Sequence, residues 1–301
     1  MGIKFVDFST DKSLVASVIY GRNEHRTTNK GVVISDEIKR ELKRFLTGFN
    51  TAVGVEQTPY YRIDAYFDEQ TLWILEINAA FVDGWGTALN LARASGIAVD
   101  RDKLEFPRRF AVKNRIYLPE LELFVSELSA LGLNSRHICE LGDNSTELIY
   151  VYGRAGSKGQ SHILPYDGAR LDNKLNLGLF SREWKSDLIK IPRHYINRFD
   201  AWGEIPQEVV LKFCDKESVE CRRAGQSVMF GKPSGKAPFI SRCYRAETLL
   251  GQERIFPASQ DRANCQLIIF AIGNEPITGY VQYDWRRIIN DDSIHGPLQI
   301  G

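Results

Sequence analysis

Two short segments carry the residue types that could do chemistry together: Tyr60-Tyr61-Arg62-Ile63-Asp64-Ala65-Tyr66-Phe67-Asp68 and Leu72-Trp73-Ile74-Leu75-Glu76-Ile77-Asn78. Side chains of a β-strand alternate between its faces. Arg62, Asp64 and Tyr66 therefore share one face of the first segment. Glu76 and Asn78 share a face of the second, while Leu75 and Ile77 point the other way into a core. If the two pair across the polar Asp68-Glu69-Gln70, then Asp64, Glu76 and Asn78 converge. Two carboxylates and an amide oxygen are hard ligands, suited to Mg2+ that also holds phosphate oxygens. Arg62, two residues from Asp64, could neutralise phosphate in a planar, two-pronged way. Taken singly, each of these residues reads equally as an ordinary charge on a solvated hairpin face.

The elements around this pair follow from hydrophobic spacing. Phe5–Ser9 and Leu14–Tyr20 read as strands around Thr10-Asp11-Lys12. Ser35 caps a helix whose apolar residues Ile38, Leu42, Phe45, Leu46 and Phe49 recur at helical spacing, with Gly48 near its end. Strands at Tyr60–Phe67 and Thr71–Ala79 precede a helix near Thr87–Ala94 that stops at Gly96. Residues 97–110, charged and containing Pro107, read as a linker. Beyond it come a strand at Ala111–Tyr117, an amphipathic helix at Pro119–Leu131 closed by Gly132, and strands at Ser135–Glu140 and Glu147–Tyr152. That alternation implies a small parallel sheet. Gly153-Arg154 and Gly156–Gly159 lie after a strand, where open α/β sheets bind ligands, or form a plain turn. Asn173–Phe180 reads as a helix, Glu208–Phe213 as a buried strand, and Ser218–Ser241 as a mobile loop or hairpin. Gln266–Ile272 and Thr278–Trp285 form a hairpin across Gly273-Asn274-Glu275-Pro276.

With 301 residues, the chain is long enough for about two domains. Lys plus Arg number 39 against 38 Asp plus Glu, a net +1, which gives no electrostatic support for a nucleic-acid or membrane-surface partner. The five cysteines are scattered without a CxxC pair, as expected for reduced thiols in a cytoplasmic protein. The opening MGIKFVDFSTDK lacks the apolar core of a signal peptide, and the longest apolar runs fall far short of a membrane span. The histidines His25, His137, His162, His194 and His295 lack metal-ligand spacing, and GxSxG, GxGxxG and a full Walker A motif are absent.

Arg62-Ile63-Asp64 and Glu76-Ile77-Asn78 resemble the RxD…ExN close of the ATP-grasp family. In that family the Asp, Glu and Asn bind one or two Mg2+ ions, and the Arg contacts the transferred phosphate. Lys174 at a helix start and Lys212 in Val209-Val210-Leu211-Lys212-Phe213 resemble the family's two nucleotide-binding lysines. Gly225–Gly231 stands where the family has a glycine-rich loop. Gln252-Glu253-Arg254-Ile255 resembles the hinge strand that packs on adenine, and Arg286 its basic triphosphate contact. Asn290 and His295-Gly296 fall in the loop that commonly faces substrate. The resemblance spans roughly residues 30–96 and 110–301 and implies an α+β/α/β chain: an ATP-grasp fold of two α+β subdomains around a nucleotide site, with a small pre-ATP-grasp-like parallel sheet.

The order departs from the family, because the metal motif comes first here. Joining the chain's end to its start restores the usual order, so the chain resembles a circularly permuted ATP-grasp protein. Residues 1–100 would carry the metal motif, 110–200 the pre-ATP-grasp-like unit and 201–301 the nucleotide-binding lobe and hinge. A rival account starts from a short echo between Val18-Ile19-Tyr20 and Val281-Gln282-Tyr283, each followed by two arginines and an asparagine. It makes the chain two incomplete halves that complete each other within one chain, or between copies in a homo-oligomer. The intramolecular version is preferred, since a tethered half has a high effective concentration. The resemblance implies an ATP-dependent carboxylate–amine or carboxylate–thiol ligase acting through an acyl phosphate, with ATP and Mg2+ as cofactors and small-molecule carboxylates and amines as substrates. Its alternative is a non-catalytic nucleotide-binding module that serves as regulator or scaffold.

Overall fold

The computed structural model describes residues 2–16, 19–20, 23–24, 26–80, 82–112, 115–138, 147–152, 162–234, 237–286, 289 and 293–301. The echo at Val18, the loop Gly153-Arg154 with Gly156–Gly159, and Asn290 lie outside them. Among the described residues, a mixed sheet of ten strands forms the middle of the molecule. Its main path runs Ile3–Asp7, Lys30–Ile34, Ile294–Ile300, Glu275–Asp284, Ala263–Ile272, Tyr60–Phe67, Leu72–Asn78 and Ile189–Lys190. Strands from the first hundred residues thus interleave with strands from the last forty. Tyr60–Phe67 pairs antiparallel with Ala263–Ile272, with Asp64 opposite Ile268.

One face of this sheet is covered by the helix Asp36–Val53, which buries Ile38, Leu42, Phe45, Leu46 and Phe49 against Ile63, Ala65, Ile74, Leu267 and Ile269. Ser35 caps it as expected, its hydroxyl accepting from the Ile38 amide. The expected end near Gly48 is not observed: the helix runs to Val53 and stops at Gly54, in the left-handed region at φ 64°. Gly48 instead admits a neighbour. A Cβ there would lie 3.2 Å from the Phe180 ring of the helix Lys174–Phe180.

The other face is divided. At one end Tyr60, Ile268, Phe270, Ile272 and Tyr280 pack on the helix Trp85–Ala94, the helix Leu118–Ala130 and a four-stranded sheet. That small sheet has the order Ile163–Leu164, Ile149–Tyr152, Arg109–Val112, Arg136–His137 and is parallel throughout, as expected. The strand forecast at Ala111–Tyr117 is displaced: it begins at Arg109, and Arg115–Tyr117 is a 3₁₀ turn. The stretch forecast as a linker is partly core, because Leu104 is buried and Phe106 packs within 5.4 Å of the Trp85, Phe124, Tyr60 and Tyr150 rings.

The helix Trp85–Ala94 begins at Gly84, which has no side chain to cap it. The cap comes from another helix, as Glu120 Oε1 accepts from the Thr87 amide at 3.0 Å. Complete burial pushes the Glu120 carboxyl up to about 8 from an ordinary 4.5, although its backbone donors pull the other way. Between those values the folded chain keeps a proton that the unfolded chain releases, so stability falls as pH rises through that window. Glu120→Gln keeps the acceptor oxygen and cannot ionise. Relative to the parent it is expected to gain on the order of a few kcal/mol between about pH 5 and about pH 8, read from urea unfolding at each pH. A difference that does not change with pH would contradict this.

At the other end, the same sheet face is roofed by a four-stranded antiparallel sheet in the order His194–Tyr195, Leu249–Gln252, Val210–Phe213, Val228–Phe230. The forecast loop or hairpin at Ser218–Ser241 is more ordered than expected. It holds the helix Val219–Ala224, capped by Ser218, the strand Val228–Phe230 and the start of the helix Ala237–Arg245. Residues such as Cys221, Ala224 and Ile240 are buried behind the roof, and their short apolar spacing is masked in the sequence by intervening Arg, Lys and Gly. Cys214, Cys221, Cys243 and Cys265 are free and buried. Among the described residues, no helix is long and apolar enough to cross a membrane.

Candidate functional site

The hairpin Tyr60–Phe67/Leu72–Asn78 pairs so that Asp64 faces Glu76 and Arg62 faces Asn78 across the ladder. The expected convergence of Asp64, Glu76 and Asn78 is therefore present, with Arg62 beside them. Asn78 Nδ2 donates to Asp64 Oδ1 at 3.2 Å, and Arg62 Nε donates to the same oxygen at 3.2 Å. Arg62 also donates to Asp83 Oδ1 at 2.8 Å, which ties the hairpin to the segment after it.

The reading of Leu75 needs correction. Ala65 faces Ile74 and Asp64 faces Glu76, so Leu75 is the extra residue of a β-bulge. Strict alternation would put Ile74 and Glu76 on one face. The bulge resets the phase, which lets Leu72, Ile74 and Ile77 all reach the core while Glu76 and Asn78 face the site. Leu75 itself lines the site rather than the core. Its carbonyl accepts from Lys212 Nζ at 3.1 Å and Gln252 Nε2 at 2.9 Å, both from the roof.

Three lysines converge on Glu76. Lys174, first residue of a helix capped by Asn173, donates to Glu76 Oε1 at 2.7 Å. Lys216, in the turn after the strand Val210–Phe213, lies 2.7 Å from the same oxygen and donates to Asn78 Oδ1 at 2.8 Å. Lys212 Nζ is 3.7 Å from Glu76 Oε2. Burial opposes ionisation of Glu76, but the ammonium groups of Lys174, Lys216 and Lys212 together hold its carboxyl well below the usual range. Asp64 lacks such a cluster, and burial raises it despite Arg62. Burial also lowers Lys212 to about 8, partly offset by Glu76. Asp172 supports this arrangement by accepting from the Ala79 amide at 2.9 Å.

Of these groups, Asp64, Glu76 and Lys212 line a cavity of about 250 Å³ between the large sheet and its roof, while Lys174 and Lys216 reach Glu76 from outside the lining. Asp64, Glu76 and Gln266 lie on the floor, Lys212 on the roof, and Leu75, Val210, Val228, Phe230, Ile255 and Phe256 supply apolar wall. Gln252, Glu253 and Ile255 line it as well. Gln252 Nε2 is engaged with the Leu75 carbonyl and lies 3.0 Å from His194 Nε2. The Glu253 amide donates to the Arg193 carbonyl, and its carboxylate accepts from the Arg193 amide. Arg286 stands apart from the lining. Its guanidinium donates to Asp284 at 2.9 Å, and the pairing helps hold that carboxyl down at about 2 against the effect of burial.

Lys216 and Gln266 are participants that sequence reasoning did not single out. Gln266 Nε2 lies 3.3 Å from Asp64 Oδ2. It is the first residue of a forecast strand, so only the register across to Tyr60–Phe67 reveals its target. Lys216 sits in Asp215-Lys216-Glu217, which reads as solvated charge. The available signal was the turn itself: Asp215 Oδ1 accepts from the Glu217 amide and Ser218 caps the next helix, which fixes Lys216 just past the strand.

The donor set fits a hard divalent cation, since Asp64 and Glu76 face each other and the Asn78 amide oxygen lies beside Glu76 through their common partner Lys216. The set needs that amide. Among the described residues, no three His, Cys, Asp or Glu side chains cluster as metal ligands.

No family model matches this chain, and no curated protein matches it. Among solved structures it is similar to a candidate gamma-glutamylcysteine synthetase from Methylobacillus flagellatus KT, at 12% identity over 87% of this chain and 85% of that one, with a TM-score of 0.45. A likeness at that level decides neither fold nor activity.

Proposed function

We propose that this chain binds a nucleoside triphosphate with Mg2+ in the cavity beneath the roof and uses it to join a carboxylate to an amine or thiol, as an ATP-grasp ligase. One observation carries the reading: Lys174, Lys212 and Lys216 meet Glu76, which faces Asp64, and Asp64, Glu76 and Lys212 line a cavity whose walls are partly apolar. Phosphoryl transfer relies on positioning and charge stabilisation, and these residues concentrate both signs of charge. Asp64, Glu76 and Asn78 would hold the metal, which when bound draws charge from phosphate oxygens. Lys174 and Lys212 would hold phosphate, and Arg62, steadied by Asp83, would face the transferred group. Leu75, Val210 and Ile255 would pack on the base, with Gln252 and Glu253 at its edge. Arg286, which donates to Asp284 outside the cavity lining, would serve as a further triphosphate contact. The pairing of Tyr60–Phe67 with Ala263–Ile272 fits both a circularly permuted order and two halves that complete each other within one chain.

The test is ADP release by the purified chain with ATP and Mg2+, on addition of pooled amino acids and amines. Release that depends on the pool is expected. No release from folded protein that still binds an ATP analogue would favour the non-catalytic module instead.

A further inference from the structure

Lys216 has two contacts that no phosphate-holding role requires. Its ammonium group lies 2.7 Å from Glu76 Oε1 and 2.8 Å from Asn78 Oδ1, touching two of the three oxygen donors assigned to the metal. Glu76 Oε1 is shared with Lys174, also at 2.7 Å, and Glu76 Oε2 faces Lys212. A bare divalent ion arriving here would meet occupied ligands and four nearby cations, counting Arg62. Lys174 and Lys212 are held at the site by burial, with side chains 5% and 9% exposed. The Lys216 side chain is 32% exposed and springs from a turn, so it alone of the three lysines has room to swing away.

We propose that Lys216 is an internal stand-in for the metal: it fills the cation position between Glu76 and Asn78 until a polyphosphate arrives with a divalent ion and draws the lysine onto its own oxygens. This rests on the nucleotide reading above. A polyanion attracts Lys216 and delivers the metal at once, whereas metal alone must evict an ammonium group without compensation. Binding of metal and nucleotide is therefore coupled, and by linkage each tightens the other by the same factor.

The experiment measures free Mn2+ by electron paramagnetic resonance during titration into the parent, Lys216→Met and Lys216→Gln. Each is run with and without a non-hydrolysable ATP analogue, with folding checked by circular dichroism. The parent should bind Mn2+ weakly alone and at least about tenfold more tightly with the analogue. Both variants should bind Mn2+ alone about tenfold more tightly than the parent and show a smaller gain from the analogue. If the analogue binds but the variants match the parent in Mn2+ affinity, the proposal fails while the nucleotide reading stands. If no folded protein binds Mn2+ or analogue in any combination, the nucleotide reading fails and the proposal falls with it.

Discussion

Glu76→Gln is expected to remove Mg2+-dependent nucleotide turnover, a loss of at least about a hundredfold in ADP release. The side chain keeps its shape but loses the charge that three lysines share. The effect on binding separates this from simple damage. With the carboxylate gone, the site becomes more cationic, so metal-free ATP should bind at least as well as to the parent. What disappears is the gain on adding Mg2+. Stability should also fall by about 3 kcal/mol, because the buried Lys174 loses its counter-charge. Thermal and urea unfolding check that term, and calorimetry with and without Mg2+ checks the other. Turnover equal to the parent's would contradict the role given to Glu76.

Deleting Leu75 is expected to leave the sheet folded but to unlatch its roof, whereas Leu75→Ala is expected to be mild. Leu75 is the extra residue between the pairs Ala65/Ile74 and Asp64/Glu76, so its removal leaves Ile74, Glu76, Ile77 and Asn78 opposite the same partners in regular alternation. What is lost is the Leu75 carbonyl, the acceptor for Lys212 Nζ and Gln252 Nε2. Two donors left without that acceptor cost on the order of 2–6 kcal/mol, and the roof loses a tie to the site. Leu75→Ala keeps the carbonyl and trims a wall of the cavity, at a cost of about 1 kcal/mol. Urea unfolding and calorimetry with an ATP analogue distinguish the two. A deletion variant as stable as the parent that retains Mg2+-dependent binding would show that the carbonyl contacts are dispensable.

The legible part of this chain was what local pattern controls. Alternation and helical spacing located the hairpin, the helix after Ser35, the helix Lys174–Phe180 and the small parallel sheet, and they brought Asp64, Glu76 and Asn78 together. What escaped was set by contacts distant in sequence. Gly48 reads as a stop, but it serves the Phe180 ring 132 residues away. Leu75 breaks alternation in a segment whose composition gives no sign of a bulge, because Leu is apolar whichever way it points. Phe106 looked like part of a charged linker, since the aromatic residues around it come from four separate elements. Lys216 was invisible for the same reason: its partners Glu76 and Asn78 lie 140 and 138 residues away.

The central claim, that the cavity beside Asp64, Glu76 and Lys212 receives polyphosphate together with a divalent ion, is tested most directly by calorimetric titration of a non-hydrolysable ATP analogue into the purified parent chain, with Mg2+ and with a chelator. One saturable site per chain is expected, binding at least about tenfold more tightly with Mg2+ than without. Absence of binding in both conditions by a chain that melts cooperatively, or binding indifferent to Mg2+, would contradict it.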